Sequence, residues 1–195
     1  MATLSQLVTA IATLEGFDPE RVGAIARAVR EHRLIRTSGR GTSAAQMSEP
    51  DAANLLIAAN TADTARTAPA AVAQYRLLQA KRKREFGNEL EELIWAAKRE
   101  MLADYVTKMV ALLGTRGHVL GRRRFPNATY RFEIEFEKPV PSVFVGISIL
   151  NTSHRDYISF GDPPRQPSAE ASVDRRERTR ITQRTILAIA DILRT

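Results

Sequence analysis

Apolar residues recur at helical spacing in the first part of the chain, which predicts two neighbouring amphipathic helices. Thr3 with Gln6 is a capping-box pattern ahead of the first stripe, and Asp18 before Pro19 is a typical start for the second. The two stripes consist of Leu4, Leu7, Val8, Ile11, Leu14, Val22, Ile25, Ala26 and Val29.

The next segments favour a loop and further helices. Residues 36–43 hold two glycines, two arginines and small polar residues, which indicates a loop. Ser48 with Asp51 caps a third predicted helix over 52–60. A fourth helix is expected from Pro69 to Phe86, and a fifth from about 89 to 112, so that the two form a helical hairpin.

From Tyr130 onward the period changes to that of a strand. Apolar residues alternate with Glu133, Glu135 and Glu137, which we interpret as acids on a solvated strand face. Strands over 143–149 and 156–160 complete a predicted β-meander. Residues 161–178, rich in Pro, Ser, Arg and Glu, are expected to be a mobile linker, and a last helix starts at Thr182.

These elements predict an α+β fold, mainly α, in three parts. Residues 1–66 are expected to form a winged helix-turn-helix that folds by itself, and residues 67–117 a helical hairpin for oligomerisation. Residues 118–195 are expected to form an antiparallel β-meander, a linker and a final helix.

Composition and motifs exclude several classes of protein. The chain has no cysteine, so it contains no disulfide, thiolate zinc site or cysteine nucleophile. His32, His118 and His154 stand alone, and the glycine loop lacks the lysine of a nucleotide-binding P-loop. No apolar run approaches the length of a membrane helix. We therefore expect a cytoplasmic protein that is not an enzyme and uses no cofactor or metal.

The charge of the chain points to an anionic partner. The formal net charge is +7, and the stretch 21–40 holds six arginines against Glu31 alone. Nucleic acid is the common partner of such a basic surface, although a merely solvated helix face would carry the same arginines.

The N-terminal block resembles the winged-helix half of MerR-type transcription regulators over about its first 60 residues. The residues that carry the resemblance are Leu34-Ile35, Arg36, Gly39-Arg40-Gly41 and Ser48-Glu49-Pro50-Asp51. The resemblance implies a wing between the second and third helices, and double-stranded DNA as the partner.

The physics of DNA docking assigns roles to residues of such a block. Arg21, near the start of the second helix, is expected to reach base edges, while the arginines further along contact phosphates. Arg36 and Arg40 on the wing enter a minor groove or clamp the backbone. The predicted DNA-binding residues are Arg21, Arg27, Arg30, Arg33, Arg36, Thr37, Ser38, Arg40, Thr42 and Ser43.

Two further sets of residues carry predictions. Auxiliary phosphate contacts are assigned to a basic run on the fourth helix and to one in a loop before the meander. They are Lys81, Arg82, Lys83, Arg84, Arg122, Arg123 and Arg124. Self-association is assigned to an apolar stripe on the fifth helix, formed by Leu90, Ile94, Met101 and Tyr105.

The leading hypothesis is a bacterial or phage transcription regulator that binds double-stranded DNA as a homo-oligomer. The overall plan is also similar to that of phage small terminase subunits, which recognise DNA and assemble as rings. A third alternative is a phage structural or adaptor protein without DNA binding, whose N-terminal helices bind protein. Oligomeric mass separates the first two, since a dimer favours the regulator and a ring the terminase.

Overall fold

A computed structural model describes residues 2–37, 45–81, 101–114, 118–120, 123–125, 130–149, 155–161 and 176–195. The described part contains six helices and two antiparallel sheets, which confirms the α+β class. Within these ranges, no helix has the length and apolar character needed to cross a membrane.

The first three helices begin at the capping residues expected from the sequence. Thr3 and Gln6 form the predicted capping box, Asp18 accepts from the backbone N–H of Glu20, and Ser48 forms a box with Asp51. The helices are α1 Leu4–Glu15, α2 Pro19–Glu31, α3 Glu49–Thr61, α4 Ala68–Tyr75, α5 Leu102–Gly114 and α6 Gln183–Arg194.

The larger sheet has five antiparallel strands in the order β1-β6-β5-β4-β7, and β2 pairs with β3 in a separate two-stranded sheet. Strands β4, β5 and β6 are neighbours in chain order, which confirms the predicted meander. The strands are β1 Ala80–Lys81, β2 His118–Leu120, β3 Arg123–Phe125, β4 Tyr130–Lys138, β5 Ser142–Ile149, β6 Arg155–Phe160 and β7 Glu177–Thr182.

Helix α3 is the centre of the fold. Every residue from Asp51 to Thr61 is buried, because α4 and α5 pack closely against α3 while α2 and α6 cover it further. A helix enclosed in this way has no wet face, which fits a sequence in which most residues are alanine, leucine or other uncharged residues.

One face of the sheet supplies the rest of the core. Phe132, Ile134 and Phe136 of β4 are fully buried, and Phe160 of β6 lies against Tyr105 of α5 with ring centroids 5.4 Å apart. Buried residues from all six helices and from β4 to β7 form one hydrophobic cluster. The core therefore runs across the predicted boundaries at residues 66 and 117, although the three-part division itself stays a prediction.

The central helices differ from the prediction. The fourth helix ends at Tyr75 rather than at Phe86, because the chain turns there to pair Ala80 with Phe160 in the sheet. The fifth helix begins at Leu102, since Met101 pairs with Gln79 in an antiparallel bridge. A single helix through Met101 is therefore wrong, and residues 82–100 lie outside the described part.

Two segments expected to be irregular contain strands. Arg123 and Arg124, predicted in a loop, lie on β3 opposite β2. The last two residues of the predicted linker, 177 and 178, belong to β7, which pairs with β4 along the edge of the sheet. Thr182 occupies the N-cap position of the last helix, in line with the predicted start, but the strand before it was missed.

Candidate nucleic-acid interface

Three arginines line the outer side of α2 and the turn that follows it. The apolar face of α2 is buried, whereas Arg27 and Arg33 are exposed and Arg30 is half-buried. None of these three side chains makes a hydrogen bond or an ion pair with any other residue in the described ranges. We call Arg27, Arg30 and Arg33 the arginine ridge. Because no acid neutralises it there, the ridge is a positive surface in contact with solvent.

The end of α2 turns the last arginine of the ridge outward. His32 closes the helix, with Nδ1 2.9 Å from the carbonyl oxygen of Ala28. Arg33 then adopts a left-handed backbone with φ of 59°, and the N–H of Leu34 donates to the carbonyl of Val29. This left-handed turn sends the following chain back to the core, where Ile35 is buried, and leaves Arg33 outside.

Asp51 ties the two stems of the predicted wing together. Its Oδ1 accepts from the backbone N–H of Arg36 at 2.9 Å, and its Oδ2 accepts from the N–H and the hydroxyl of Ser48 at 2.9 and 2.7 Å. The Arg36 guanidinium lies 3.7 Å from the same carboxylate, yet its side chain stays 67% exposed. Arg36 is thus partly neutralised, unlike the ridge.

The rest of the predicted wing is only partly described. Thr37 is exposed at its start, and Met47 at its end is held by a backbone hydrogen bond to Ala2. Ser38, Arg40, Thr42 and Ser43 lie outside the described residues, so their predicted role in DNA binding stays a prediction.

The hydrogen bonds that Asp51 makes to Arg36 and Ser48 should make it important for stability. Replacing Asp51 with alanine leaves two backbone N–H groups without their acceptor and removes a helix cap, so we expect a loss of about 1–3 kcal/mol. Chemical denaturation of the purified chain measures it. The exposed Asp191 offers a matched control, and Asp191→Ala should change stability by less than about 0.5 kcal/mol. Equal effects of the two changes would show that Asp51 does not hold the loop.

Arg21 lies in the first turn of α2, as predicted, but its guanidinium contacts α3. Its Nη2 donates to the carbonyl oxygens of Ala59 and Ala62, at 3.3 and 2.8 Å, and its guanidinium stacks over the Phe17 ring at 4.7 Å. These carbonyls belong to the end of α3, where a cation is favourable. Arg21 thus fixes α2 on α3, and its role in reading DNA bases stays a prediction. Sequence spacing could not show this, because the contact depends on how the two helices pack.

Two of the four residues of the predicted self-association stripe, Met101 and Tyr105, lie in the described ranges. Tyr105 is fully buried in the core of one chain, so it is not available to a second copy. Met101 is 39% exposed and lies beside the start of α5. Leu90 and Ile94 lie outside the described residues.

The auxiliary basic residues are described only in part. Lys81 lies on β1, and Arg123 and Arg124 lie on β3. Arg82, Lys83, Arg84 and Arg122 lie outside the described ranges. The auxiliary role of these residues stays a prediction.

A second group of arginines is neutralised by glutamates on the open face of the sheet. Arg178 lies 3.2 Å from Glu135 and 3.5 Å from Glu137, and Arg180 lies 3.8 Å from Glu133. The expectation of a fully solvated acidic face is wrong for Glu137, which is 3% exposed. It is covered because Arg176 and Arg178 both reach it and the Ser142 hydroxyl donates to it. The sequence carried a signal for these ion pairs. Every second residue is an arginine in 176–180, as every second residue is a glutamate in 133–137.

One cleft of about 450 Å³ lies between α4 and the end of β4. Lys138 lines it and bonds Asp63 and Glu177. Burial opposes the charge of Lys138, but the hydrogen bonds to these two carboxylates outweigh it and raise the pKa of Lys138. Burial, with the charges of Glu137 and Asp63, raises the pKa of Tyr75 in the same cleft to about 12. Near neutral pH both groups keep their protons, so neither acts as a base there.

A second cleft, of about 490 Å³, lies on the open face of the sheet above Gly146. A side chain at this position would collide with Glu133, since a Cβ atom would lie 2.9 Å from its Cγ. Across the described ranges, no group of three or more His, Asp or Glu side chains is arranged to hold a metal ion.

No family model matches the chain, and no match was found among curated proteins or among solved structures. Function is therefore inferred from the residues and their geometry.

Proposed function

We propose that the protein binds double-stranded DNA and that the arginine ridge is the main contact with its phosphate backbone. The observation that carries the proposal is the contrast between two arginine groups. Those on the sheet are paired with glutamates, whereas Arg27, Arg30 and Arg33 have no acidic partner in the part of the chain that the structure describes.

Unpaired arginines gain more from a polyanion than paired ones do. An arginine already bonded to a carboxylate must give up that bond before it binds a phosphate, whereas a free one has only water to displace. Each free arginine that contacts a phosphate also releases condensed counterions from the DNA. The net charge of +7 assists the approach of the two molecules.

The placement of Arg21 shapes the kind of binding that we propose. With Arg21 held on α3, the contacts assigned to α2 are phosphate contacts, which position a protein on DNA without reading its sequence. Sequence preference would then have to come from other residues, such as those of the wing. Regulation of transcription, a homo-oligomeric state and a cytoplasmic location stay predictions.

The test is the salt dependence of binding to a duplex, followed by fluorescence anisotropy. Removing Arg27, Arg30 and Arg33 together, by substitution with alanine, should reduce the slope of log affinity against log salt by roughly 2.7, or about 0.9 for each phosphate that is no longer neutralised. The reduction should be similar on any duplex sequence, because phosphate contacts do not depend on the bases.

A control variant separates a local contact from a general effect of charge. Alanine at Arg66, Arg184 and Arg194, which are exposed on other elements, also removes three positive charges. We expect this variant to change the slope by less than about one unit. Equal reductions in the two variants would show that net charge alone drives binding, and no binding at low salt would reject the proposed function.

A further inference from the structure

A polar cluster lies where the turn between α1 and α2 meets the end of α3. Glu15 is the last residue of α1, Arg21 lies in the first turn of α2, and Asn60 is next to last in α3. The Asn60 side-chain N–H donates to Glu15 Oε2 at 2.9 Å and to the carbonyl of Leu56 at 3.0 Å. Together with the bonds from Arg21 to α3, these contacts make the cluster the polar part of the junction among the three helices.

Three atoms of this cluster have no hydrogen-bond partner in the described part of the protein. They are Glu15 Oε1, Arg21 Nη1 and Asn60 Oδ1, and each has less than 1 Å² accessible to solvent. Buried polar atoms are nearly always hydrogen-bonded, since leaving one unsatisfied costs its full desolvation. The three atoms belong to residues that meet at the same junction. They therefore indicate one partner that all three share.

We propose that this junction holds one buried water molecule, bonded to Glu15, Arg21 and Asn60. The three atoms comprise two acceptors and one donor, and a water molecule can donate twice and accept the third bond. An ion suits the site less well, because the Arg21 guanidinium repels a cation and the Glu15 carboxylate repels an anion. About three hydrogen bonds is the usual number for a buried water in a protein.

Water also suits the junction in both protonation states of Glu15. Burial raises the pKa of Glu15 to about 7, although the Asn60 hydrogen bond and the charge of Arg21 act in the opposite direction. Charged groups nearby in sequence are Asp18 and Glu20 at the start of α2 and Asp63 after α3, and all three are exposed. When Glu15 is protonated on Oε1 it becomes a donor, and the same water turns to accept from it. The inference does not depend on DNA binding.

Solution NMR of the full chain labelled with ¹⁵N tests this site. Magnetisation transfer from water to the side-chain amide protons of Asn60 should have the sign of a long-bound water molecule. Glu15→Gln keeps the shape and a polar pair of atoms, so it should retain the signal, whereas Glu15→Met removes both oxygens and should lose it. The Asn60 amide shifts should also titrate near pH 7 in the wild type and not in Glu15→Gln.

A folded wild-type chain without this water signal overturns the proposal, and so does a signal that persists unchanged in Glu15→Met. If Glu15→Met does not fold, the wild-type and Glu15→Gln chains still decide. The proposal then requires a long-bound water in both of them.

Discussion

The isolated segment 1–66 should fail to melt cooperatively, although its sequence alone favoured an independent domain. It contains α1, α2 and α3 but lacks α4, α5 and α6, which cover most of the outer sides of α3. Leu55, Leu56 and Ile57 are all fully buried in the complete chain. Exposing a buried side chain of this size costs about 1.5–3 kcal/mol. A few such losses match the whole stability of an ordinary domain, roughly 5–15 kcal/mol.

Circular dichroism of the fragment and of the full chain measures this outcome. We expect the full chain to unfold in one steep thermal transition and the fragment to lose helical signal gradually, as partly formed helices do. The full chain at the same concentration is the control for conditions. A steep transition in the fragment would show that α1, α2 and α3 need no cover, and would support the boundary at residue 66.

Local signals in the sequence placed the starts of the first three helices correctly for a physical reason. A cap such as Ser48 with Asp51 satisfies backbone N–H groups within four residues, so the interaction is complete in the sequence itself. The strands of the meander were predictable for a similar reason, because strict alternation puts one face of β4 in the core. Both kinds of pattern are local.

The errors lie where a distant contact overrides a local pattern. Helical spacing continued past Tyr75, but that residue is buried and its hydroxyl donates to the carbonyl of Glu137 on β4. The chain then joins the sheet. The sequence placed Arg21 and Arg27 on the same helix, and only packing shows that α3 ends beside Arg21, whose side chain bonds it. The arginine ridge was predictable because its members fall off the apolar stripe.

The pH dependence of stability should reveal Glu15. In the folded chain burial raises its pKa to about 7, against an ordinary value of 4.5. Between these values the unfolded chain has lost the proton that the folded chain still holds. The free energy of unfolding should therefore fall as the pH rises from about 4.5 to about 7, and this contribution should level off above pH 7. At 1.36 kcal/mol for each unit of pKa, the change amounts to roughly 3 kcal/mol.

The comparison with Glu15→Gln isolates the effect of this one carboxyl group. Denaturant titrations of both chains at several pH values give the difference between them. That difference should vary with pH, the wild type losing stability relative to Glu15→Gln as the pH rises to 7. Glu20→Gln, at an exposed position on α2, should differ from the wild type by a nearly constant amount. A constant difference for Glu15→Gln as well would mean that the junction of the three helices does not hold a titrating carboxyl group.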